Sequence, residues 1–515
     1  MHPNTLLITL AVATLAGTAM AQVRFSDVTT DCGLDFVHAQ GDAPVPPLFE
    51  GQNERFGVGA AVGDYDNDGF MDVYLPNSSG TANQLYRNNG DGTFTDVTDA
   101  AGVGHMGFSK QALWLDLNND GFDDLVVLND SSAATADFPR SQIFRNDGDG
   151  TFTNVTAASG FAPTDATLGG ATAGDYDRDG DLDLLVVGWY EYTQYLYRND
   201  GNFRFTDVTA EVGGFPADDR FHWQPVMLDM NGDGWVDIFA AVDFFPDYSL
   251  RNNGDGTFTD VSTEWNTVHV ANDMGVAVAD VDGDLDLDIY TTNMSFSPSN
   301  TNDEPGPNML YVNDGSGVMT PGAIPAGIDN TFFAWGTWFF DADLDGDKDL
   351  AAVNGWQQPE WHTRAQFFLN RGDGRFDDAG LGSGLDHRGN SRGLTPIDLE
   401  NDGDIDFIIT DVYGPATVYR NETERNGNAW VRIEAQGTVS NRNGVGSKVY
   451  VTAGGRTQFI EIMAGGSFYS APPLSAHFGL GRVDVIDRIR VVFPSGREAT
   501  LTGVEANRVV TVTEP

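Results

Sequence analysis

The sequence predicts an all-β protein, a seven-bladed β-propeller with calcium-binding loops followed by a small C-terminal β-sandwich-like domain. Three observations lead there. An acidic nonapeptide returns seven times at intervals of 51 to 61 residues, a period that belongs to propellers and arrays. Between successive copies stands a hairpin sequence, aromatic-Arg-Asn, a Gly turn, then Phe-Thr-Asp-Val-Thr. Beyond about residue 426 the acidic loops stop, while short apolar strands continue.

The nonapeptide carries an oxygen side chain at positions 1, 3, 5 and 9 of every copy. The first three sets are Asp64, Asp66, Asp68 and Asp72; Asp116, Asn118, Asp120 and Asp124; and Asp175, Asp177, Asp179 and Asp183. The fourth and fifth are Asp229, Asn231, Asp233 and Asp237, then Asp280, Asp282, Asp284 and Asp288. The last two are Asp341, Asp343, Asp345 and Asp349, then Asp398, Glu400, Asp402 and Asp406. A hard cation such as Ca²⁺ takes six to eight oxygens, and alternate residues of a tight loop point inward to supply them. Carboxylates packed this closely repel one another unless a cation sits among them. Glycine at position 6 permits a left-handed turn; the fifth copy has Leu285 there, which puts its ion in question. An EF-hand also opens on Asp-x-Asp-x-Asp-Gly, but needs an acid at position 12 and flanking helices. Position 12 here is Leu75, Val127, Val186, Ala240, Thr291, Ala352 and Ile409, each in a short apolar strand. The expected cofactor is therefore Ca²⁺, up to seven ions in a structural role.

The hairpins run 85–98, 143–156, 196–209 and 249–262, with weaker copies at 310–320 and 367–378. Asn-Gly and Asp-Gly between alternating apolar runs are strong hairpin sequences. Each repeat thus supplies four strands, the unit of a propeller blade. The seventh hairpin has Val418–Asn421 but no Phe-Thr-Asp-Val-Thr after it; the missing piece is Phe25–Thr29 near the N-terminus. Pairing these two segments closes seven blades into a ring with no open edge.

Composition narrows function. Lys and Arg total 28 against 76 Asp and Glu, a net charge of −48, and nucleic-acid binding needs the opposite balance. Hydrophobic residues at 40% and aromatics at 11% supply a core that acidic disordered chains lack. The lone cysteine, Cys32, excludes a disulfide framework. Residues 1–21 read as a signal peptide, with an apolar run from Leu6 to Ala16 and cleavage after Ala21. The mature chain is then secreted or periplasmic, with no membrane span.

These loops and hairpins resemble the FG-GAP/VCBS repeat family, whose propellers are similar to those of integrin α-subunits. The resemblance implies that loop positions 1, 3, 5 and 9 are metal ligands. The stretch from Asn441 to Gly481, with IRVVFPSGREATLTGV after it, resembles the ASPIC/UnbV domain. Repeats followed by that domain are the architecture of the cartilage acidic protein family. The expected organisation is a signal peptide over 1–21, a propeller over 22–425 and an ASPIC/UnbV β-domain over 426–515, separated by a polar linker at 421–428.

A partner would meet the face opposite the acidic loops. Residues preceding the first strand of each blade include Arg55, Lys110, His222, Trp223, Asp273, Trp335 and Arg392. They are candidate ligand-binding residues at the channel mouth, where polar and aromatic side chains suit a sugar or peptide. The sequence holds no GxSxG elbow, no HExxH and no Cys–His pair. The expectation is a monomeric, non-enzymatic scaffold that binds a protein or glycan at the cell surface. Carbohydrate binding, and then action on a polysaccharide, are the alternatives.

Overall fold

The computed structural model describes residues 23–39, 56–78, 81–131, 140–164, 167–189, 193–216, 220–294, 307–356 and 363–515. The expected leader and Arg55 lie outside them. The described chain is almost entirely β, with six helical turns of four residues each.

Seven four-stranded units stand in chain order among the described residues. Blade 1 is Ala61–Gly63, Asp72–Leu75, Gln84–Asn88 and Phe94–Asp96, all antiparallel. Blades 2 to 6 span 109–154, 168–207, 221–260, 270–321 and 334–378, and blades 4 and 5 are joined at Asp243 and Asn272. Blade 7 takes Ser391–Ile397, Asp406–Asp411 and Thr417–Asn421, and its outer strand is Phe25–Asp27 from the other end of the chain. Phe25 pairs with Asn421 and Asp27 with Tyr419. The expected closure is therefore the observed one.

Apolar strands such as Asp124–Asn129 are buried on both faces, because each blade is sandwiched between two others. The expected five-residue outer strand is only three residues long. Its remaining Val-Thr enters a helical turn, since the Asp of Asp-Val-Thr caps the Thr backbone N–H, as Asp96 does Thr98 at 2.9 Å. The threonine hydroxyl then accepts the N–H of the neighbouring strand, as Thr98 does from Leu85.

One repeated hydrogen-bond unit connects the blades. The asparagine ending each third strand is Asn88, Asn146, Asn199, Asn252, Asn313, Asn370 or Asn421. Its backbone N–H donates to the position-9 aspartate of its own loop at 2.7–2.9 Å. Its side-chain amide donates to the carbonyl of the second loop residue of the preceding blade, at 2.8–3.5 Å. Asn88 reaches Leu399 of blade 7, so this ring also closes.

The C-terminal domain packs two sheets. Ala429–Gln436 lies between antiparallel Ala476–Gly481 and parallel Arg508–Thr513. The other sheet orders Arg456–Glu461, Lys448–Ala453, Val485–Val492 and Glu498–Glu505. Val431, Ile433, Val449, Phe478 and Ile489 are among the core residues between them. The stretch read as a linker is tied down instead: Thr423 is buried, its hydroxyl accepts the Arg24 N–H, and Arg425 forms ion pairs with Asp402 and Asp404.

Replacing Asn252, which is buried, with Ala should leave the Tyr176 and Val236 carbonyls without their donor. The expected loss is about 3 kcal/mol, measured as a shift in the urea unfolding midpoint with unchanged slope.

Candidate functional site

Within each acidic loop, backbone N–H groups aim the carboxylates. In six copies the position-1 oxygens accept the N–H groups of positions 5 and 6, as Asp64 does from Asp68 and Gly69 at 3.0 and 2.9 Å. In all seven, the position-9 aspartate accepts from position 2, as Asp72 does from Tyr65 at 3.1 Å. Each carboxylate oxygen keeps a further lone pair for a ligand. Left-handed backbone recurs at positions 4 and 6, which the sequence shows as Asn67, Asn119 and Asn401 at position 4 beside the glycines.

The fifth loop departs from this pattern. Leu285 occupies the left-handed region at φ 75°, a strained conformation for a side chain with a Cβ. Asp280 accepts from Gly283 rather than from position 5.

Carboxylate oxygens at positions 1, 3 and 9 converge within 4.8 Å in blades 1, 3 and 6; in blade 5 positions 1, 3 and 5 do so. Asp177 Oδ1 and Asp343 Oδ1, both at position 3, are buried and have no hydrogen-bond partner. Burial pushes these acids upward: Asp64 to about 6, Asp175 to about 7, Asp124 and Asp288 to about 8 and Asp72 to about 9. An all-oxygen donor set whose ionised form burial disfavours, and which a bound cation would stabilise, fits a hard divalent cation.

Blades 4 and 7 differ, because the C-terminal domain sits on the acidic-loop face and brings its own cations there. Lys448 pairs with Asp229, the position-1 residue of blade 4. Arg432 lies 3.9 Å from Asp398 of blade 7, beside an ion pair that Arg425, just ahead of the domain, makes with Asp402 at 3.0 Å. Arg456 meets Asp347 of blade 6 at 2.6 Å. In blade 2 the contact is neutral: Asn443 Oδ1 accepts the Asp116 N–H at 2.6 Å. The domain is thus a cap over the loops.

The cap also sends residues 462–475 into the central channel. Ala464 bridges Ala173, Ser467 bridges Val276, and Ala471 bridges Ala61, three different blades. The approach is close: a Cβ on Gly59 would lie 1.9 Å from the Tyr469 carbonyl oxygen, and one on Gly393 would lie 2.9 Å from Ser470 Oγ. At the plug's tip Phe468 and Tyr469 pack with Phe56, Trp189, Trp223 and Trp335.

That packing decides the fate of the channel-mouth residues. Lys110, His222, Trp223, Asp273, Trp335 and Arg392 are all buried, so they present no open sugar- or peptide-binding surface. Trp223 meets Phe468 at 5.3 Å between ring centres, and Arg392 lies 4.0 Å over the Trp335 ring. Lys110 pairs with Asp130 at 3.5 Å. Burial lowers His222 to about 4, with its Nδ1 3.3 Å from the Gly188 carbonyl. Asp273 accepts the Thr291 hydroxyl and lies 2.9 Å from His269 Nδ1. Nothing in the repeats announces the plug; its only sequence sign is an aromatic pair after Ala464-Gly465-Gly466-Ser467.

One set of exposed apolar side chains lies at the surface outside the plugged mouth. Phe244 and Phe245 lie near the end of the second strand of blade 4, Asp237–Pro246, and Val268 and Val270 precede or open blade 5. Phe332 and Tyr413 extend the set to blades 6 and 7. Pro246 pairs with Val270, and the Phe244 and Phe245 rings lie 5.8 and 5.9 Å from Phe221, so the blade 4 and blade 5 members are contiguous. No local pattern marks them, because exposure at a strand end depends on what neighbouring blades cover.

The model of the ASPIC and UnbV family matches residues 437–515, and that of the FG-GAP-like repeat matches 64–127, 116–186 and 229–291. Cartilage acidic protein 1 of Mus musculus is 24% identical over 518 residues, covering 92% of this chain and 76% of that protein. Its Homo sapiens counterpart is 23% identical over 432 residues, covering 67% of this chain and 63% of the human protein. Among solved structures, the BP39L lectin from Burkholderia pseudomallei is 9% identical, with a TM-score of 0.43 over 71% of this chain and 96% of the lectin.

Two outcomes are expected. Without metal, the raised loop carboxyls hold protons more tightly when folded than when unfolded. Raising the pH from about 5 to about 8 should therefore lower the Tm in EDTA. In millimolar Ca²⁺ the loss should disappear, each filled site adding about 1.4 kcal/mol at tenfold excess over its Kd. Thermal scans at both pH values, with and without EDTA, check the sign. Separately, Phe468→Ala should empty the centre of the plug and destabilise the protein by about 3–5 kcal/mol, measured by chemical denaturation.

Proposed function

This chain is an FG-GAP repeat protein with an ASPIC and UnbV domain, and from that premise we propose that it is an exported, calcium-stabilised interaction scaffold without catalytic activity. The observation that carries the reading is the division of surfaces. The cap covers the acidic-loop face, the plug fills the channel, and one group of exposed apolar residues, Phe244, Phe245, Val268, Val270, Phe332 and Tyr413, lies on the remaining face. A contiguous apolar surface on a soluble protein marks an interaction site, and Phe244, Phe245 and Val270 form its centre. The residues suited to hold Ca²⁺ are the seven sets at positions 1, 3, 5 and 9, and the ion would supply charge compensation that locks each loop. Blades 1, 3 and 6, with their converging carboxylates, are the strongest of these sites. The apolar run before Ala19-Met20-Ala21 supports export. No helix among the described residues is long and apolar enough to cross a membrane.

A protein partner suits this face better than a substrate. Ser391 and His387 both bond Asp411, at 2.7 and 3.1 Å, so the carboxylate stands between them and no nucleophile–base pair forms. A glycan is the second reading, favoured by the exposed ring of Tyr413 close to that polar group.

The test is a screen of the mature chain against extracellular proteins and glycans, alongside the double variant Phe244→Ser with Phe245→Ser. Binding to a protein ligand should fall about tenfold or more in the variant while its Tm is retained. Glycan binding would select the second reading. Binding that is indifferent to the variant, or cleavage of a polysaccharide, would refute the proposed face.

A further inference from the structure

A cavity of about 120 Å³ lies between the cap and blades 5 to 7. Its walls are mainly apolar and include Leu287, Trp338, Phe340, Ile397, Met463 and Pro473. The volume compares with the ~150 Å³ engineered cavity that holds benzene. Packed interiors keep few voids of this size, and those without polar groups stay dry. This one is lined by Lys348, Asp398, Arg432, Glu461 and His477 as well.

Three polar atoms on this lining are buried and lack a hydrogen-bond partner: Arg432 Nε, Glu461 Oε2 and His477 Nε2. The rest of each group is held in place. Arg432 Nη1 donates to Asn401 Oδ1 at 2.8 Å, and Glu461 Oε1 accepts the Asp229 N–H at 3.1 Å. Lys348 Nζ donates to the His477 carbonyl at 3.0 Å and lies over the Phe478 ring. Arg432 and Glu461 are only 4% and 2% exposed, and leaving a buried polar atom unpaired costs about 1–3 kcal/mol. Three such atoms around one apolar space mark a binding cavity with fixed polar contacts.

The orphaned atoms say what kind of ligand. At the blade 7 loop Arg432 lies 3.9 Å from Asp398 and 3.5 Å from Glu434, and its Nε is the donor left free on that cation. Glu461, beside Lys448, stands at the blade 4 loop with Oε2 left as an acceptor, so blades 5 and 6 separate it from Arg432. We propose that this cavity binds a small aromatic carboxylate bearing a hydroxyl group. Its carboxylate is received by Arg432 Nε, its ring lies among Trp338, Phe340 and Ile397, and its hydroxyl meets Glu461 Oε2.

The experiment titrates 4-hydroxyphenylacetate, with phenol and toluene as controls lacking the carboxylate, into the full mature chain by calorimetry and ligand-observed NMR. 4-Hydroxyphenylacetate should bind at least about tenfold tighter than either control. Arg432→Gln should remove that preference. Ile405→Trp, which fills the cavity from a position with no side-chain hydrogen bond to lose, should abolish binding while Tm and circular dichroism are retained. No binding of 4-hydroxyphenylacetate at millimolar concentration would overturn the proposal. So would equal binding of toluene, binding unaffected by Ile405→Trp, or a crystal structure in which ordered water alone bridges Arg432, Glu461 and His477.

Discussion

The hydrogen bonds from each third-strand asparagine are the constraint on which the ring depends. Through its backbone, Asn252 holds the position-9 carboxylate of its own loop; through its side chain, it holds the preceding loop. Loop shape, blade spacing and ring closure are therefore set by one residue type repeated seven times. Because the donors are backbone and amide N–H groups, the carboxylates are positioned by neutral partners, and their charge is left to be balanced by something else. The bond between blades runs from amide to backbone carbonyl, and being buried it is costly to leave unmade, which suits a contact that must fix seven wedges at one spacing.

The balance of that charge differs around the ring. Blades 1, 3 and 6 bring three carboxylates together, whereas the cap sends Lys448 to blade 4 and Arg432 to blade 7. The cap is thus an electrostatic partner of the acidic face as well as a lid over it. Its second attachment is apolar and deeper: the plug places Phe468 against Trp223 and Trp335, joining the cap's core to the innermost strands. A domain held by polar contacts at its rim and by aromatic packing at its centre shares the layout of stable interfaces. Propeller and cap form one packed body, and the cavity between them exists only because both are present.

Much of this was legible in the sequence. The 51–61-residue period, the four oxygen positions and the Phe25–Thr29 segment predicted seven blades and their closure, because these features are local patterns copied in register. The asparagines of the aromatic-Arg-Asn strands were visible too, though not their reach into the preceding blade. The Leu285 departure could be read directly, since a glycine missing from a left-handed position is a local fact.

Tertiary structure decided what the channel residues do. Trp223, Trp335 and Arg392 lie in the first strands of blades 4, 6 and 7 and are buried, with Trp223 and Trp335 packed on the plug rather than facing solvent. No local rule predicts that, since the contact joins residues 223 and 468 across most of the chain. The same holds for the linker that is no linker, for the cations that reach the loops of blades 4 and 7, and for the exposed Phe244 and Phe245. Repetition writes the blades into the sequence; a single unrepeated contact between two domains leaves no period to read, so only packing fixes which surfaces remain open.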